Sequence, residues 1–178
     1  YSAGNINQGG SSIAAGYRAG NINQGNLATS IGSYAGYISQ GDNSIAIGTD
    51  SGSYNQSSNA VAIGRNSGFT GQGEGSISIG LEAGYYSQKN NSISVGLAAG
   101  KFNQGDSAIA IGNTSGSTGQ GTGSIAIGSL AGVSNQQSYS TAIGYNAGNL
   151  SQGEYSIAIG YQSGVTNQPA NSISLNSS

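Results

Sequence analysis

The stretch Ser124-Ile125-Ala126-Ile127-Gly128-Ser129-Leu130-Ala131-Gly132-Val133-Ser134-Asn135-Gln136 decides the fold. It opens on Ile-Ala-Ile, two β-branched residues flanking a small one, which is the period-2 pattern of a strand. Gly128 and Gly132 follow four residues apart. In a helix each would cost about 1 kcal/mol relative to Ala, so the pattern argues against helix. The stretch then recurs every 16 residues in both directions. Glycine stands at 16, 32, 48, 64, 80, 96, 112, 128, 144 and 160, and only Asn176 breaks the series. A second series has no exception: Gly4, Gly20, Gly36, Gly52, Gly68, Gly84, Gly100, Gly116, Gly132, Gly148 and Gly164. Nor has a third: Gln8, Gln24, Gln40, Gln56, Gln72, Gln88, Gln104, Gln120, Gln136, Gln152 and Gln168. The residue before the second glycine is always Ala or Ser. The unit S-I-A-I-G-x-x-A-G-x-x-N-Q-G-x-x thus runs about eleven times through all 178 residues, without insertion or deletion.

That register overrules the composition. Glycine (33), Ser (32), Asn (19) and Gln (13) make up more than half of the chain, a balance that by itself reads as low-complexity and disordered. Disorder does not need an unbroken repeat, and a fixed column means one repeated environment. A short strand, a Gly turn, a second short stretch and another Gly-rich turn in 16 residues make one coil of a parallel β-solenoid. The expected fold is all-β, a β-roll of about eleven coils forming a single domain over residues 1–178. With about 4.8 Å between neighbouring strands, the rod is on the order of 50 Å long. A lone coil buries too little to fold, so stability is shared between neighbours. The two Gly columns fit structural turns with positive φ, or places too crowded for a Cβ. The Gln column fits either a ladder of side-chain amides running from coil to coil or side chains that bond turn backbone. The Ile pair, Ile45 and Ile47 for example, is expected to point into the coil, with the Ala/Ser column between them facing out. Were it to point outward, an apolar stripe would run the full length and need covering by other chains.

The repeated string Ser-Ile-Ala-Ile-Gly-x-x-Ala/Ser, at Ser44 to Ser51, Ser124 to Ala131 and Ser156 to Ser163, resembles the head-domain repeat of YadA-like trimeric autotransporter adhesins. The resemblance implies a left-handed parallel β-roll that trimerises and binds host matrix or other cells. Two departures stand out: the adhesin unit is usually near 14 residues, and these 178 residues contain no segment that reads as a stalk, neck or anchor barrel.

Composition removes many functions. Without Cys or His there is no zinc finger, haem ligation, thiol catalysis, disulfide scaffold or Ser-His-Asp triad. Four basic residues make no surface for nucleic acid. No run approaches the ~20 apolar residues of a membrane span. Asp42, Glu74 and Asp106 share one turn column with Glu154, and two coils separate neighbours by about 10 Å. Carboxylates at such distances can hydrolyse sugars, but Ser58, Asn90 and Thr122 interrupt the column, which favours a solvated turn. No EF-hand or Asp-rich nonapeptide spacing is present for calcium. Sequons at Asn55, Asn90, Asn113, Asn149 and Asn176 are about as many as chance supplies. No cofactor and no enzymatic activity is expected.

The aromatic residues fall in looser columns. Tyr1, Tyr17, Tyr145 and Tyr161 follow the first Gly, and form a candidate contact face. Tyr37, Phe69 and Tyr85 share another column, and Tyr54, Tyr86 and Phe102 the one beside it. These rings read as a packing seam between chains, a surface for glycan or protein, or scattered tyrosines. The chain begins at Tyr1, as a mature terminus or the interior of a longer protein would, and both ends stop mid-unit without a distinct cap. Open solenoid ends point to a piece of a longer array or to end-to-end stacking. The leading expectation is therefore an extracellular structural protein, on a cell or virion surface, whose partner is itself and which forms a fibre or filament. The alternative is a trimeric adhesin head that binds glycan or matrix protein.

Overall fold

The computed structural model describes residues 2–176. Its described residues are strand and turn with no helix, wound as a parallel β-solenoid of about eleven coils. Through most of the rod each coil carries two three-residue strands. In one coil these are Ile45–Ile47 and Tyr54–Gln56, joined by a long turn over 48–53 and followed by a short turn over 57–60. The Ile-Ala-Ile strands stack into an eleven-stranded sheet, the Ile sheet. The strands that end on Gln stack into an eight-stranded sheet, the Gln sheet. Single bridges Thr118↔Ser134↔Leu150↔Thr166 carry the Gln sheet on toward the C-terminal coils. Every pairing is parallel with a shift of one repeat, as in Ile45↔Val61, Ala46↔Ala62 and Ile47↔Ile63. The turns are also bonded coil to coil. Asp50 N–H donates to Ser33 C=O at 2.9 Å, and Gly52 N–H donates to Ser67 C=O at 2.9 Å.

The strands orient opposite to the expectation for the Ile pair. The middle residue of the Ile strand is the buried one: Ala46, Ala62, Ala110, Ala126, Ala142 and Ala158 are all 0% exposed. Ile31, Ile111 and Ile159 remain 41%, 38% and 40% exposed. The reason is width. Side chains alternate across a strand, so the Ala/Ser column and the Ile pair cannot share a face. The interior already holds the Gln side chain, two further Ala/Ser columns and the backbone at Gly. A Cβ built on Gly52 would stand 2.6 Å from Gln56 Oε1 and 3.3 Å from the Ala46 methyl. An Ile at position 46 has no room. The core is therefore made of Gln, Ala and Ser, and the Ile rows lie outside.

Left-handed backbone recurs in the turns and at the middle of the Gln strand. Each coil places non-glycine residues in the left-handed region at set positions, among them Asp50 (φ 56), Asn55 (φ 54) and Asn59 (φ 59). Asn and Asp enter this region at low cost, which accounts for the Asn that recurs just before the Gln column.

Candidate functional site

Two features of the coil carry any function, its interior columns and its outer faces. Inside, Gln24 through Gln168 are buried. Each of these amides crosses its own coil. Gln56 Nε2 donates to Ile45 C=O at 2.8 Å and to Ala60 C=O at 3.3 Å, and the same pair of bonds recurs down to Gln168. Gln8, in the first coil, is exposed and reaches Ser12 C=O at 3.5 Å. Contacts between successive Gln side chains occur as well: Gln56 to Gln72, Gln88 to Gln104, Gln104 to Gln120 and Gln120 to Gln136, at 3.1–3.3 Å. The bonds to backbone carbonyls thus recur in every coil from Gln24 to Gln168, while the amide-to-amide contacts join four of the steps.

The second Gly series, Gly4 to Gly164, sits at φ of +51 to +56 with the Gln amide packed against its α-carbon. The first series has φ near +125 and lies against the next coil's backbone.

Outside, the Ile sheet presents two continuous rows. Ile77 lies over Ile93 and Ile109, while Ile79 lies over Val95 and Ile111. The rows run over all eleven strands with few interruptions, Thr29 and Thr141 among them. A stripe of this length is large for a surface left in water.

The tyrosines divide. Tyr1 lies outside the described residues. Tyr17 packs edge-on against Tyr34 with ring centroids 5.3 Å apart. Tyr145 stacks on Tyr161 at 5.4 Å. Ser33, Thr49, Arg65, Leu81, Leu97, Asn113 and Ser129 separate Tyr17 from that pair in the column, so the three do not meet. A different grouping emerges. Tyr17, Tyr34, Tyr37, Tyr54, Phe69, Tyr85, Tyr86 and Phe102 form one chain of ring contacts along the long turn and the Gln sheet. Arg18 lies over Tyr17 and Tyr34 at one end, and Lys101 over Tyr85 and Phe102 at the other. Single columns do not show this chain, because it steps between four of them. The signal available in the sequence was that these columns flank one turn.

The acidic column is a capping column in part. Asp42 Oδ1 accepts the Asn26 N–H at 2.7 Å, and Asn90 Oδ1 accepts the Glu74 N–H at 3.0 Å. Glu74 is the one carboxylate lining a shallow depression of about 500 Å³, among Asn23, Ser39, Ser58 and Asn90. No paired acids meet there. Among the described residues no group of three or more acidic side chains is placed to hold a metal ion, and no helix is long and apolar enough to cross a membrane.

Titration is perturbed at a few turn residues. A hydrogen bond with Tyr17 raises the Tyr34 phenol, and burial raises that of Tyr85. Burial also raises the Asp50 carboxyl above its ordinary 3.8. The folded chain therefore binds this proton more tightly than the unfolded chain, and stability falls as pH rises from about 3.8 through the folded value. Asp50→Asn is expected to melt above the parent at pH 7, with the gap narrowing below 3.8. Thermal melts followed by circular dichroism at both pH values check this, and a gap that widens in acid contradicts it.

Residues 39–67, 104–131, 120–147 and 151–174, together more than half of the chain, match the family model of the YadA head domain repeat, two copies to a model. The chain belongs to the YadA head-repeat family. Head repeats of this family are adhesin modules, not enzymes. No curated protein and no solved structure matches the chain. In this chain the Ser-Ile-Ala-Ile-Gly string is the Ile-sheet strand and the start of its long turn, with the small residue inward and both large ones outward.

Proposed function

We propose that this chain is a head segment of a cell-surface adhesin, closing with two further copies along the Ile sheet and presenting the Gln sheet outward. The observation that carries the reading is the outward pair of Ile rows. They run parallel to the rod, so a lateral partner covers them, whereas end-to-end stacking into a fibre leaves them in water. Family membership supports three copies and display at a surface. The aromatic chain from Tyr17 to Phe102 then lies on the outer side, where a glycan or a matrix protein is met.

The test is association. Ile79→Lys with Ile111→Lys places two charges on the stripe without touching the coil interior. Sedimentation is expected to show a trimer mass for the parent and a monomer mass for the variant, with unchanged β circular dichroism. A variant that keeps the parent's mass removes the Ile sheet from the interface and with it this reading.

A further inference from the structure

The chain has 11 tyrosines and no Cys, Met, Trp or His. Cys and Met are common targets of oxidants. In their absence the phenols are the oxidisable side chains that remain. Within the aromatic chain from Tyr17 to Phe102, the Tyr–Tyr contacts are edge-on, with ring planes 74–87° apart. The stacked contacts there each include a phenylalanine. Two other pairs differ. Tyr139 stacks on Tyr155 with centroids 5.3 Å apart and planes 8° apart, and Tyr145 stacks on Tyr161 at 5.4 Å and 13°. All four residues are 47–55% exposed. The two pairs flank the same two paired strands, Thr141–Ile143 and Ile157–Gly160, one pair on either side.

The first pair occupies a place that does not favour tyrosine. Tyr139 (φ 57) and Tyr155 (φ 55) have left-handed backbone, which is strained for a bulky side chain. In other coils the same turn position holds Asn43, Asn59, Gly75, Asn91, Gly123 and Asn171 among others. Two adjacent coils thus carry a local cost and set two phenols one above the other.

We propose that these pairs are sites of oxidative cross-linking, at which a haem peroxidase with hydrogen peroxide joins Tyr139 to Tyr155 and Tyr145 to Tyr161 as dityrosine. Each phenol gives up one electron and its hydroxyl proton and becomes a phenoxyl radical. The unpaired electron is shared with the two ring carbons beside the C–O bond. One of these carbons from each ring joins the other in a new C–C bond, and the hydrogen each carried moves to its own phenol oxygen. In sum each ring loses one hydrogen, and the peroxide takes up two electrons and two protons and leaves as two waters. Near-parallel rings one coil apart bring those carbons within reach of each other. Their exposure lets the rings tilt edge to edge as the bond forms. An edge-on contact instead turns the edge of one ring toward the face of the other, and phenylalanine has no phenol to oxidise. The two bonds hold neighbouring coils together on both sides of the Ile strand, in a chain that has no cysteine for a disulfide.

The coupling needs no second copy of the chain, and its test is made on the whole chain in dilute solution. A haem peroxidase and hydrogen peroxide are added, and the product is unfolded and cut by a glutamate-specific protease. Glu154 lies between the partners of both pairs, so cleavage after it separates 83–154 from 155–178 unless a bond joins them. The joined fragment is expected, with dityrosine fluorescence and a mass below that of the two peptides together by two hydrogens for each bond. Tyr139→Phe is expected to leave one bond, and Tyr139→Phe with Tyr145→Phe neither. Phenylalanine keeps the stacking, so both variants are expected to retain the parent's β circular dichroism. A parent that yields no dityrosine, or dityrosine without the joined fragment, overturns the proposal. So does a joined fragment that persists in the double variant, because Tyr85 and Tyr86 of 83–154 would then couple as well as the stacked pairs. Linkage that occurs only between copies, seen as a doubled mass before digestion, overturns it too.

Discussion

Replacing Gly64 by alanine is expected to break the rod in the middle and to lower stability by more than about 4 kcal/mol. Gly64 has φ +125, a value that side-chain-bearing residues rarely adopt, and this alone costs about 1–3 kcal/mol. The new methyl would also lie 2.6 Å from the Gly80 carbonyl oxygen and 2.8 Å from its carbon. Both atoms are backbone, so neither can swing aside. Nor can the coils separate, since Gly64 N–H donates to Ile47 C=O and Gly80 N–H donates to Ile63 C=O, each at 2.8 Å. Because each coil rests only on its neighbours, the defect divides the stack. Hydrogen exchange is expected to show lost protection over roughly residues 47–80, and the thermal transition is expected to broaden or split. Gly41→Ser is the control. A Cβ at Gly41 would stand equally close to the next coil, 2.4 Å from Ser58 N, yet the same column holds Ser57, Lys89, Gln137 and Pro169. Its φ is not positive, so the neighbours can give way. A Gly64→Ala chain that melts like the Gly41→Ser chain would show that φ is not the decisive restraint.

The contrast between those two columns also marks what was legible in the sequence. Gly64 belongs to a column broken once, at Asn176, while Gly41 belongs to a column that admits lysine and proline. Column constancy thus reports backbone restraint, and it was enough to give the coil length, the parallel stacking and the turn positions. It did not give the direction of the strand. Ile-Ala-Ile has the same period whichever face is buried, and the usual rule that large apolar residues lie inside selects the wrong one here. The choice turns on the width of the interior, which depends on how far two sheets stand apart, and no single strand encodes that distance. Gln56 held the missing information. A side chain that spans from its own strand to the carbonyl of Ile45 leaves space for nothing larger than Ala or Ser opposite. The aromatic chain was hidden for a related reason, since Tyr34 and Tyr37 touch across a turn and belong to different columns.

Gln104 is where a conservative-looking change is expected to cost most inside the coil. Its Nε2 donates to Ile93 C=O at 2.8 Å, to Ala108 C=O at 3.1 Å and to Gln120 Oε1 at 3.3 Å. Its Oε1 accepts from Ser94 Oγ at 2.5 Å and from Gln88 Nε2 at 3.1 Å. The side chain is 0% exposed. Gln104→Leu keeps much of the volume but withdraws a partner from each of these groups with no water to replace it. Ala108 C=O keeps the Ile93 N–H, and Gln88 Nε2 keeps Ile77 C=O and Ser92 C=O, so only part of the set is orphaned; at about 1–3 kcal/mol for each orphaned group, a loss of roughly 3–5 kcal/mol is expected. Gln104→Ala adds a cavity and should be no milder. The same chemistry runs in reverse at Gln56, whose Oε1 is buried without a partner, as are those of Gln24, Gln152 and Gln168. All four belong to coils with Ala in the middle of the Ile strand. Where that residue is serine, at Ser30, Ser78 and Ser94, its hydroxyl donates to the Gln oxygen. Ala46→Ser is accordingly expected to stabilise by about 1 kcal/mol. Denaturant titration of Gln104→Leu, Ala46→Ser and the parent checks both signs together. If a leucine core proves as stable as the glutamine one, the buried amides contribute filling alone, and Ala46→Ser should then gain nothing.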